Sequence, residues 1–389
     1  MSKIILVTFF TLLTVFLFGC PPAQPENGST GNSGASDIDR QEPAAPDASG
    51  PQGTMDEPAE VSEGGQIEFP GENHLANLRQ LTFEGENAEA YFSSDGKNLI
   101  FQRHVESGEC DQIFVMDIES GEFNMVSTGD GVTTCAYYKY PDNDKIIYAS
   151  THLFHTDCPP PVDKSLGYVW KFHPEWDVFE ADPDGSNLVQ LTDAPGYDAE
   201  GTYAPDGSLI VYTSMSSGDL EIWTMNPDGS DKKQLTDTLG YDGGAFFTYD
   251  SSKIVFRAYH PETEDEIQQY NELLAQNLYH PSRMDLWIMD RDGANLTRIT
   301  HDNETNWAPY PFPDGNRLLF SSNRESESPM DFNLWIIDIE TGDLEQVTFF
   351  PGFDGFAVFS PDGSKIVFCS NRNESHEGNT NVFIADWVE

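Results

Sequence analysis

The sequence predicts an all-β fold: a six-bladed β-propeller of four-stranded blades, its last blade completed by a strand from the front of the chain. Three observations predict it. First, an aspartate followed six residues later by an aromatic, with apolar residues leading up to it, occurs six times: Asp95 to Phe101, Asp142 to Tyr148, Asp206 to Tyr212, Asp250 to Phe256, Asp314 to Phe320 and Asp362 to Phe368. Second, each copy is followed by another short run with an aromatic near its middle ("QIFVMDI", "DVFEAD", "EIWTMN", "DLWIMD", "NLWIID", "NVFIAD") and, in five copies, by a strand ending in Thr such as "QLT". With the strand that precedes each aspartate, the unit is four strands separated by Asp, Gly, Pro and Asn turns. Third, the six aspartates are spaced by 47, 64, 44, 64 and 48 residues. A four-stranded unit repeating in the forties cannot cover its own faces, and neighbouring blades must bury them.

From the N-terminus, "MSKIILVTFFTLLTVFLFGC" carries one cation, Lys3, and an apolar run from Ile4 to Phe18. This pattern, too short for a comfortable membrane span, reads as an export signal over residues 1–20. Leu17-Phe18-Gly19-Cys20 resembles the lipobox of bacterial lipoproteins, which implies acylation of Cys20; Pro21 in place of Asp implies the outer membrane. Residues 21–70 form an acidic stretch rich in Pro, Gly and Ser with almost no large apolar side chain, a tether with reach but no core. The propeller is expected over 75–389. Its last unit ends at "NVFIADWVE" with no threonine strand, and "NLRQLTF", Asn77 to Phe83, supplies that strand from upstream, leaving no open sheet edge.

The two spacings of 64 mark insertions at 151–175 and 258–284, both between the second and third strands of their blades, so both rise from one face. Thr263 and Glu266 fit a capping box, and Ile267, Tyr270, Leu273, Leu274 and Leu278 share one helical face, which predicts a helix resting on the propeller. The three consecutive prolines of the first insertion predict a stiff irregular loop. Recurring aromatics such as Trp223, Trp287 and Trp335 are expected between blades.

Eight of nine histidines (104, 152, 155, 173, 260, 280, 301, 376) fall in loops of the insertion face; His74 does not. His152-x-x-His155 has the spacing of a metal pair but no third ligand. Eight residues before each repeat aspartate stand Asn87, Thr134, Asp198, Asp242, Asn306 and Asp354, expected as a polar ring around one mouth of the channel, although each alone is also an ordinary turn cap. Arg103, Arg257, Arg324 and Arg372 end second strands, and Arg283 closes the long insertion outside the repeat. The ligand-binding candidates are therefore His152, His155, Asp198, Asp242, Arg283, His301, Asn306 and Asp354, with no catalytic residue, metal site or cofactor assigned. Cys110, Cys135 and Cys158 allow one disulfide; Cys135 with Cys158, both in the second blade, is the expected pair, and Cys369 is expected in the core.

"SPDGSKIVFCSNR", "PDGSNLVQLTD" and "PDGSDKKQLTD" resemble the repeats of the TolB-like propeller family over about residues 75–389. That resemblance implies the fold, and an envelope setting. The chain departs from TolB by lacking the separate N-terminal α/β domain through which that protein meets TolA, so a Tol-Pal role is not carried over. A net charge of −46, from 66 acidic and 20 basic residues, excludes nucleic acid and anionic lipid as partners. There is no G-x-S-x-G, and "HEGNT" at 376 lacks the second His of a zinc-protease motif. The sequence thus points to a monomeric, lipid-anchored envelope propeller, periplasmic or surface-exposed, attached to the membrane only through Cys20 and binding a protein, peptide or glycan on the insertion face. The alternative is a metal-assisted polysaccharide lyase or hydrolase of the oligogalacturonate-lyase type, with a divalent metal.

Overall fold

A computed structural model describes residues 52–53 and 66–389, apart from 106–108, 161, 282, 327 and 375–378; the expected signal, Cys20, most of the tether and His376 lie outside the described residues. Six four-stranded antiparallel sheets form the ring. Blade 1 runs Glu86–Phe92, Asn98–His104, Gln112–Asp117 and Phe123–Met125, and the two-residue strand Gln52–Gly53 adds to its outer edge. Blade 2 is Thr133–Tyr138, Ile146–Ser150, Asp177–Ala181 and Val189–Gln190; blade 3 is Asp198–Tyr203, Ile210–Ser214, Glu221–Met225 and Lys233–Gln234. Blade 4 is Tyr241–Phe247, Lys253–Tyr259, Asp285–Asp290 and Thr297–Arg298; blade 5 is Asn306–Pro311, Arg317–Ser322, Asn333–Asp338 and Leu344–Gln346. Blade 6 is Asp354–Phe359, Lys365–Ser370 and Asn381–Trp387, and its outer strand is Leu75–Gln80, paired through Leu75 with Trp387 and Gln80 with Phe383. The ring therefore closes as the sequence predicts.

The repeated residues build this scaffold. In blades 1 and 3 to 6 the repeat aspartate folds a tight turn, as where Asp206 accepts the Ser208 N–H at 2.9 Å, and Gly207 follows at φ 70°, a conformation glycine adopts without a Cβ penalty. The aromatics six residues on, Phe101, Tyr148, Tyr212, Phe256, Phe320 and Phe368, are at most 1% exposed between blades.

A second repeated device ties outer strands to inner ones. Thr192 donates to Asp177 (3.1 Å) and accepts the Val178 N–H (2.9 Å); Thr300 does the same with Asp285 and Leu286, Thr348 with Asn333 and Leu334, and Thr82 with Asn381 and Val382. Thr236 closes on Glu221 and Ile222, and Ser127 on Gln112 and Ile113. Each hydroxyl satisfies one buried acceptor and one buried donor, which makes a short outer strand affordable.

Candidate functional site

The innermost strands surround the channel, and each contains a bulge where its pairing register slips. At the bulge one residue takes positive φ: Glu89 (52°), Cys135 (54°), Glu200 (56°), Gly244 (60°), Ala308 (48°) and Phe356 (55°). A bulge bends its strand and re-aims the side chain. Here all six residues line one small cavity of about 30 Å³, room for roughly one water. Its floor is aromatic: Tyr91 and Phe246 line it, with ring centroids 5.7 Å apart, and Tyr137 and Tyr310 back them at 5.4 and 5.2 Å. The channel is therefore a blind cup.

Arg257 reaches into the cup from the second strand of blade 4. It donates to Glu200 at 2.5 Å and to the Tyr241 hydroxyl at 2.9 Å, and Glu200 also accepts the Thr213 hydroxyl at 2.7 Å and the Gly244 N–H at 2.9 Å. Glu89 makes no such ion pair among the described residues, and Arg257 acts on it only as the weaker opposing charge. Burial, and then the Glu200 charge, push its carboxyl up to about 7, so it exchanges a proton near neutrality. Burial also pushes the Cys135 thiol well above its ordinary value, so it is protonated and a poor nucleophile.

The two insertions roof the cup together. Trp170–Lys171 of the first pairs antiparallel with Leu278–Tyr279 of the second, and the Phe172 N–H donates to the Asn277 carbonyl at 2.8 Å. The Trp170 ring lies 5.5 Å from the Arg257 guanidinium and within 6 Å of Tyr241, Tyr279 and Trp307. The helix Glu264–Leu274 is capped by Thr263 and Glu266 as expected; its Tyr270 is buried, with its hydroxyl 2.5 Å from both Asp219 and the Gly240 carbonyl, pinning the helix to blades 3 and 4. Leu278 belongs to the ribbon, not to the helix.

This architecture recurs in solved structures. A protein assigned as TolB from Agrobacterium tumefaciens superposes with a TM-score of 0.52 at 18% identity, over 78% of this chain and 91% of the other. The fold is a TolB-like propeller. TolB from Acinetobacter baumannii gives 0.50 at 16% identity over 78% and 64% of the two chains, and an oligogalacturonate lyase in complex with manganese gives 0.50 at 16% over 80% of each. No protein-family model and no curated protein matches the sequence. At these identities the TolB-like likeness is one of fold.

Within this TolB-like frame the expected polar ring is displaced. Asp198, Asp242, Asn306 and Asp354 are at most 2% exposed and lie between blades, beside the threonine-held residues of the preceding blade, not at the channel mouth. They precede the bulge, so their side chains leave the channel while those two residues on enter it. In blade 2 the equivalent residue is Thr133, which pairs with Ser150 and shares a hydroxyl contact with it at 3.0 Å, and not Thr134; the following turn is one residue longer there.

These interblade nodes differ in charge. Asn306 and Asp354 are satisfied by Arg324 (2.6 Å) and Arg372 (2.6 Å), and Asp285 by Arg298 (2.7 Å). On the two sides of blade 3, however, carboxyls face carboxyls: Asp177 with Asp198, and Glu221 with Asp242. Burial pushes Asp198 up to about 6, with the Asp177 charge adding to it. Burial and Asp242 push Glu221 up to about 9, so it keeps its proton at neutral pH.

Among the described histidines, His155 and His173 come near one another beside Glu175, and the other candidates keep separate partners. His152 rests against Ser150 (3.0 Å) and the Phe179 ring, His155 is 3.9 Å from Glu175, His260 is 2.8 Å from Asp242, and His301 is exposed in the loop before blade 5. Among the described residues no three His, Cys, Asp or Glu side chains converge as metal ligands. Arg283 stacks 5.2 Å from the Tyr259 ring and lies 3.8 Å from Glu266, bracing the helix. The disulfide expectation is corrected: Cys110 bonds to Cys158, because the second-to-third connections of adjacent blades meet on this face, while Cys135 faces the cup.

Proposed function

We propose that this protein is a binding propeller of the bacterial envelope, exported and anchored through Cys20, that holds a protein, peptide or glycan partner on its insertion face. The observation that carries the reading is where large apolar side chains stand exposed: of thirteen among the described residues, six (Val105, Leu153, Phe154, Leu166, Tyr168 and Met330) belong to second-to-third connections, between 44% and 61% exposed, and the other seven are scattered over the remaining loops and outer strands. Four exposed apolar side chains within one insertion that the repeat itself does not need are the kind of concentration that marks an interaction surface. The first insertion supplies four of the six, so it is the principal contact.

The rival reading is a metal-assisted lyase, as in the manganese-bound oligogalacturonate lyase. It needs several ligands that converge, and here His155 and His173 meet beside Glu175 while His152 and His260 each answer to a different neighbour.

One comparison separates the two. Wild type and the double variant Leu153→Ser, Phe154→Ser are used to capture partners from native envelopes, and both are assayed for bound metal. A defined partner held by wild type and lost by the variant supports the proposal. Equal capture by both, or a stoichiometric transition metal that His152→Ala removes, overturns it.

A further inference from the structure

The end of the channel away from the insertions is also a cavity, of about 130 Å³. Tyr137, Tyr203, Phe246, Phe247 and Tyr310 are buried along it, and Tyr140, Tyr249, Pro205 and Pro361 stand half-exposed at its rim. Among the described residues no lysine or arginine lines it. The polar tips are already used: Tyr140 donates to the Phe92 carbonyl at 2.8 Å, Tyr203 to Glu180, and the hydroxyls of Tyr137 and Tyr249 close on that of Tyr310. What remains for an occupant is aromatic carbon.

Three rim residues are chain neighbours of repeat aspartates: Pro205 of Asp206, Tyr249 of Asp250 and Pro361 of Asp362. The Thr248 and Ser360 hydroxyls, each donating at 2.7 Å, hold Asp250 and Asp362 below the ordinary carboxylate range. These carboxylates stay ionised at ordinary pH one residue along the chain from the rim, although none of them lines the cavity itself. Just outside the cavity, Arg291 pairs with Asp206 at 3.2 Å with its guanidinium 5.9 Å from the Phe247 ring, so this aromatic surface already accepts one cation of the protein itself.

We infer that this pocket is an aromatic cage for a small alkylated ammonium ion of the choline type. Aromatic surface attracts a weakly hydrated cation through the ring quadrupole, and that attraction is strongest where water is excluded. The oxygens along it are neutral tyrosine hydroxyls already engaged in hydrogen bonds, poor ligands for a hard metal ion, whereas the volume approaches the roughly 150 Å³ that accommodates benzene in an apolar cavity. The site lies on the face opposite the proposed partner surface, so the two proposals stand or fall separately.

The test titrates the full chain with choline and with its neutral isostere 3,3-dimethyl-1-butanol, followed by calorimetry and tyrosine chemical shifts. Choline should saturate and bind on the order of tenfold tighter than the isostere. Tyr249→Phe, which keeps the ring, should bind as wild type does, and Tyr249→Leu should lose about tenfold. Equal affinity for the isostere, no saturable binding of choline, or full binding by Tyr249→Leu would overturn the inference.

Discussion

Replacing Glu221 by glutamine should stabilise this protein, although it alters a buried polar residue that is 2% exposed. In the wild type, Glu221 Oε2 accepts the Thr236 hydroxyl at 2.5 Å, and Asp242, whose Oδ1 is 2.8 Å from His260, has no hydrogen-bond partner for Oδ2 other than a proton shared with Glu221. A carboxyl that keeps its proton when folded but sheds it when unfolded has no effect on stability below its unfolded value, 4.5. Above that it weighs against the fold by about 1.4 kcal/mol per pH unit until the folded value is reached. At pH 7 this amounts to roughly 2–3 kcal/mol after allowing for relaxation around the pair. Glutamine keeps the acceptor for Thr236 and offers a permanent N–H to Asp242, removing that cost. Urea unfolding at pH 5, 6, 7 and 8 measures it: the variant should gain little at pH 5 and progressively more to pH 8. A difference that stays constant with pH, or a variant less stable at pH 8, would refute the shared proton.

Other consequences can be measured separately. The Cys110–Cys158 bond closes a span of 48 residues, so its removal by Cys110→Ser with Cys158→Ser should cost about 4 kcal/mol, read as a lower unfolding midpoint that reductant does not lower further. Arg372 is fully buried between Glu72 (3.0 Å) and Asp354 (2.6 Å); Arg372→Met should cost about 3–5 kcal/mol, because both carboxylates lose their counter-charge. Glu89 should show a protonated carboxyl band in the infrared at pH 6 that fades by pH 8, and the Glu89→Gln difference spectrum should assign it.

The scaffold was legible because its residues repeat. The turn aspartates, the interblade aromatics and the threonines each recur with a fixed job, and Asn77 to Phe83 could be placed by noticing which unit lacked a strand. The cup was not legible for the converse reason. Its six positions hold Glu, Cys, Glu, Gly, Ala and Phe, so no pattern marks them, and the bulges that turn them inward are set by backbone geometry. The polar residues two positions earlier do repeat, which drew the expected ring to the wrong place; their repetition reflects a shared structural task between blades. The longer turn through Tyr140 and Pro141 moved the blade-2 member from Thr134 to Thr133. The disulfide joins Cys110 to Cys158 because closure of the ring brings adjacent blades' loops together, a proximity absent from the linear order.

The central claim is that insertions from two different blades form one roof over the channel, and hydrogen exchange at Phe172 tests it most directly, because that amide's partner is the Asn277 carbonyl of the other insertion. Replacing 260–283 with a connection as short as that of blade 3 should leave the innermost strands protected while the Phe172 amide exchanges freely. Unchanged protection at Phe172 would mean that the first insertion holds its shape alone, and the single roof would be contradicted.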